Sequence, residues 1–133
     1  MILVVAGVSL RAEEMDRPLA YRLADEIRER LGPDPAYSVL VVSDVLYLND
    51  EALAACPIIS IGGPGVNNLS AVLFRELSSV LVVDNVLIIQ MDVKLADLRC
   101  CLWGVDHERT VEALEIFLKR GHLDHFLQGA TAR

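Results

Sequence analysis

A chain of 133 residues with 53% hydrophobic content supplies apolar surface for one two- or three-layer core, so a single domain over 1–133 is expected. Aromatics make up only 5%, which leaves Leu, Val, Ile and Ala to build that core, and such an aliphatic surplus also suits a subunit interface. Nineteen acidic residues against twelve basic ones give a net charge of −7, with no block of Lys or Arg to offset it, so nucleic acid is excluded as a partner.

The apolar start, residues 1–10, has neither a basic region before it nor a small-residue cleavage site after it, and reads as a first strand over 1–6 rather than an export signal. A polar loop is expected over 9–17. Leu19, Leu23, Ile27 and Leu31 then recur in four-residue steps on one helix face, with Pro18 in the first turn and Gly32-Pro33 as the stop. Residues 38–43 form a second strand ending at Asp44, 48–55 a short helix, 58–61 a third strand, and 68–78 a helix turning Leu69, Val72, Leu73 and Leu77 toward the sheet. This β-α-β-α-β-α order specifies parallel strands with helices on both faces.

The pattern then changes. Strands over 80–83 and 86–91 are separated by Asp84-Asn85, a pair that tolerates the left-handed backbone of a two-residue hairpin. The second of these strands offers an unpaired edge. A strand over 98–103 precedes a helix capped by Asp106 that carries Val111, Leu114, Phe117 and Leu118 inward and ends at Gly121. A short helix over 122–127 and a frayed tail follow. The fold expected is a Rossmann-like three-layer α/β sandwich whose mainly parallel sheet carries one antiparallel hairpin. No run approaches the roughly 20 apolar residues needed to cross a bilayer, so no membrane partner is expected and a cytoplasmic protein is.

Chemistry is sparse. The loops after residues 6, 43, 61 and 103 collect at one sheet edge, bringing together Asp44, Gly62, Gly63, Gly65, Asn67, Asn68, Asp106 and His107 as candidate ligand-binding residues. Backbone N–H groups at the start of the helix after Asn67 suit an anion; the structural alternative is a glycine turn capped by Asn67 or Asn68. A turn in this position requires a positive φ in Gly62 or Gly63. The glycine run lacks the Lys-Ser or Lys-Thr of a phosphate loop and has Asn68 where a dinucleotide fingerprint has Gly or Ala, so no nucleotide cofactor is indicated. Ser60 lacks the glycine two places before it that a hydrolase elbow requires. Cys100 and Cys101 point to opposite faces of a buried strand and read as inert thiols. His122 and His125 lack a third ligand, so no metal is expected.

The segment Ile59-Ser60-Ile61-Gly62-Gly63-Pro64 with Asn67, followed by Cys101-Leu102-Trp103-Gly104-Val105-Asp106 and an amphipathic helix, resembles the strand-GGP-Asn-helix units of archaeal S-layer and cell-wall-binding domains. The resemblance implies a Rossmann-like unit; with no export signal it implies no envelope role. Rich in sheet-forming aliphatics and poor in paired catalytic groups, the chain reads as a non-enzymatic interaction or assembly module of a cytoplasmic complex, with a protein partner or self-association. The alternative is a sensing or hydrolytic domain taking a nucleotide or other small anion in the crevice at the Gly62–Gly65 turn.

Overall fold

The first strand, β1 (Ile2–Ala6), is buried at every position, as a continuous apolar run must be when both sheet faces are covered. The computed structural model describes residues 1–132 and sets β1 in a six-stranded sheet with β2 (Val39–Ser43), β3 (Ile58–Ile61), β4 (Ser79–Val83), β5 (Leu87–Met91) and β6 (Arg99–Gly104), in the order β2-β1-β3-β6-β5-β4. β2, β1, β3 and β6 are parallel, while β5 runs antiparallel to both β6 and β4. This is the mainly parallel α/β sandwich with an antiparallel hairpin that the sequence predicts. Asp84 and Asn85 take φ of 48° and 58°, the left-handed pair that a two-residue hairpin turn demands.

Alternate residues of β1 feed two cores. Ile2, Val4 and Ala6 meet α1 (Arg17–Leu31), α4 (His107–Lys119) and α5 (His122–Thr131) through Leu23, Ile27, Phe117 and Phe126. Leu3 and Val5 pack on the other face with Tyr47 of α2 (Asp44–Asn49) and Leu69 and Leu73 of α3 (Asn68–Glu76). The two layers are unequal: three helices of 15, 13 and 10 residues cover the first face, against helices of 6 and 9 residues and a 3₁₀ turn over Glu51–Ala55 on the second. None of the described helices is long and apolar enough to cross a membrane.

Four expectations need correction. The segment 9–17 is not a loop: the chain is helical from Leu10, and a π-helical turn, Ala12–Asp16, runs directly into α1. Its charged residues mask the periodicity, while Ala12 is buried and its N–H is capped by Ser9 Oγ at 3.2 Å. The single helix expected over 48–55 is broken at Asp50, whose carboxylate accepts from Ala52 N–H and starts the 3₁₀ turn anew. The terminal helix continues to Thr131 because Leu123, Phe126, Leu127 and Ala130 form a buried stripe. Finally, β5 is interior, since β6 pairs with it on one side and β4 on the other; the hairpin's outer edge is β4.

Where β1 ends, Gly7 lies so close to the loop after β3 that a Cβ there would run into the Val66 carbonyl oxygen. Backbone cannot yield as a flexible side chain can. Gly7→Ala is expected to cost about 3 kcal/mol, measured as a lower urea midpoint at an unchanged slope.

Candidate functional site

In an open α/β sheet the usual ligand position is the crevice where the strand order reverses, which here lies between the ends of β1 and β3. That crevice is filled. Asn67, 1% exposed, caps α3 by accepting from Ser70 N–H at 3.0 Å, and its amide donates to Ile61 O at 2.9 Å and Ser60 Oγ at 3.0 Å while approaching Val5 O at 3.4 Å. Asp44, also buried, accepts from Val45 N–H at 2.8 Å and from Asn68 N–H at 2.7 Å. The negative charge that the start of α3 attracts is thus supplied from within the chain. The anion position expected there is occupied by the Asp44 carboxylate, and Asn67 is the helix cap of the structural alternative.

The same buried network extends to the thiols. Ser60 Oγ and Ser70 Oγ lie 2.8 Å apart, and Cys101 Sγ donates to Ser70 Oγ at 3.4 Å. Burial pushes the Cys101 thiol up to about 12 and Cys100 well above the ordinary thiol range. Neither supplies a thiolate at neutral pH. His125 Nε2 is bonded to Val93 O at 2.7 Å, and among the described residues no group of three His, Cys, Asp or Glu side chains is placed to hold a metal.

One strand further along, beyond the ends of β3 and β6, a cavity of about 200 Å³ opens. It gathers Gly63, Gly65, Asp106 and His107 from the sequence candidates and adds Arg11 and Asp16, which sequence reasoning missed. Gly62 forms the turn beneath: its φ is +107°, and a Cβ on it would lie 2.6 Å from Asp16 Oδ2. Left-handed backbone and the closeness of that carboxylate both demand glycine here, whereas Gly63 has an ordinary backbone. Asp106 caps α4 by accepting from Arg109 N–H at 2.8 Å. Asp44, Asn67 and Asn68 belong to the filled crevice instead.

Asp16 is the anomaly in this arrangement. It stands just before α1, in the position of an N-cap, yet makes no capping bond, and at 6% exposure it has no hydrogen bond among the described residues. Burial raises its pKa above the ordinary 3.8, and the opposing pull of His107 and then Arg11 is the weaker influence. His107 Nδ1 is likewise buried without a partner. Asp16 lies in the charged run 9–17, which reads as a polar loop and hides the inward turn of the carboxylate. No protein-family model, curated protein or solved structure matches the chain.

Because the folded chain binds the Asp16 proton more tightly than the unfolded chain, charged Asp16 lowers stability at neutral pH, and this penalty fades as pH falls through the raised pKa. Asp16→Asn is therefore expected to raise the melting temperature by about 3–5 °C at pH 7 and to give no gain below pH 3.8, as followed by calorimetry across pH. Asn67→Ala, by contrast, strands buried acceptors and removes a helix cap. It is expected to cost about 2–4 kcal/mol in urea unfolding.

Proposed function

We propose that the chain is a non-enzymatic interaction and assembly module of a cytoplasmic complex, acting by self-association at the β4 end of its sheet. The observation that carries this reading is the bare flank left by the thin helix layer. Phe74 and Val82, 47% and 48% exposed, border a groove of about 470 Å³ that Ile88 and Trp103 also line. Trp103 Nε1 and Gln90 Oε1, from residues that line the same groove, are buried with no partner among the described residues. Beside the groove, β4 presents an outer edge with the sequence Val80-Leu81-Val82-Val83 and neither Lys nor Pro to protect it.

Such an edge invites another strand. A second copy placing its β4 antiparallel to the first would extend the sheet across a twofold axis and cover both grooves at once. The exposed side chains of Phe74 and Val82 lie on the surface such pairing would bury, which is why a copy of this chain is the preferred occupant.

The second reading, sensing of a small ligand, is favoured by a separate observation, the unpartnered Asp16 carboxylate in its cavity. The cavity and the groove share Trp103 in their linings and are otherwise built from different residues.

Light scattering on a concentration series tests the first. The wild type is expected to reach twice the monomer mass at high micromolar concentration, and Val82→Lys to remain monomeric with a stability change within about 0.5 kcal/mol. A strict monomer throughout for the wild type would remove self-association.

A further inference from the structure

The cavity beside Asp16 is too small for a nucleotide: its roughly 200 Å³ falls below the ~300 Å³ at which sites for drug-sized ligands begin. Its chemistry is two-ended. The Asp16 carboxyl group, buried and accepting no hydrogen bond among the described residues, lines the cavity beside His107. Arg11, exposed just before the π-helical turn, makes no ion pair among the described residues, and the N–H groups of His107 and Glu108 lie in the first turn of α4, where the Asp106 cap takes up Arg109 N–H. One end therefore asks for a hydrogen-bond donor, best a cationic one, and the other for an anion.

Single-charge ligands leave one end unmet. A bare anion meets Asp16 as well as a chain of net charge −7, and a bare amine leaves Arg11 and the α4 N-terminus unused. A divalent cation finds too few ligands, since no group of three forms among the described residues. We infer that the cavity binds a small zwitterion of the amino-acid type, with its ammonium group on Asp16 and its carboxylate at the mouth, on Arg11 and the first N–H groups of α4. Trp103, Met15 and Val66 supply the apolar wall against which a short side chain rests.

The experiment is a titration of the full chain with each of the twenty amino acids, followed by amide resonances of Gly63, Gly65 and His107. Each amino acid is paired with the amine lacking its carboxylate and the acid lacking its amine; inorganic phosphate and zinc complete the panel. At least one amino acid is expected to bind, with both half-molecules weaker by at least about tenfold, as when a site built for a polar group meets an analogue lacking it. Asp16→Asn and Arg11→Gln should each weaken binding by at least about tenfold while remaining folded. Val82→Lys should leave binding unchanged, which separates this site from self-association. No resonance shift with any of the twenty at ~10 mM, a concentration that would populate even millimolar-affinity complexes, would overturn the inference. So would a half-molecule, phosphate or zinc binding as well as any amino acid, or undiminished binding by Asp16→Asn.

Discussion

The side-chain amide of Asn67 ties three elements together: it holds the end of β3 through Ile61 O and Ser60 Oγ, caps α3 through Ser70 N–H, and approaches the end of β1, far away in sequence, at Val5 O. In a low-dielectric interior each of these bonds is stronger than in water, and each unmade one costs more. With Asp44 supplying the anion for the start of α3, the β1–β3 crevice is closed by the protein's own polar groups. Gly7 completes the closure by letting β1 approach the Val66 carbonyl without a Cβ between them. The order of the central strands, the entry angle of α3 and the path of the glycine turn all follow from this junction.

Closing that crevice moves the open space one strand along, to the gap between β3 and β6 where α4 begins. Gly62 must then turn through a left-handed conformation beneath Asp16, and the π-helical turn before α1 aims the carboxylate inward. An acid that neither caps its helix nor pairs with a base lowers stability, the kind of local cost that natural proteins keep where a site has work to do. The two helix layers divide in a related way. The thick one, built on α1, α4 and α5, gives the larger core and supports Asp16 and His107, while the thin one leaves the hairpin flank uncovered.

Much of this was legible in the sequence because it rests on local rules. The β-branched runs of β1, β2 and β3, the four-residue step of Leu19, Leu23 and Ile27, the Asp84-Asn85 turn and the Asp106 cap are each fixed by residues within a few places of one another. The cap alternative for Asn67 was legible too, as was the need for a positive φ in the glycine turn. What was hidden depends on packing between distant segments. Which strand lies at the edge is decided by β6 entering beside β5, and nothing within 86–91 records it. Asp16 fell in a segment read as a polar loop because its charged neighbours conceal a buried helix turn, and the room for its carboxylate comes from Gly62, far along the chain, where a Cβ would crowd it.

Native-state hydrogen exchange tests the closed junction most directly. If Asn67 holds β1, β3 and α3 as one unit, the amides of Ser70 and Asn68, bonded to Asn67 Oδ1 and Asp44 Oδ2, exchange only through global unfolding, with the same denaturant dependence as β1. The Gly65 amide at the rim of the cavity exchanges by small local motions. Exchange of Ser70 and Asn68 through a local opening, independent of β1, would contradict the account.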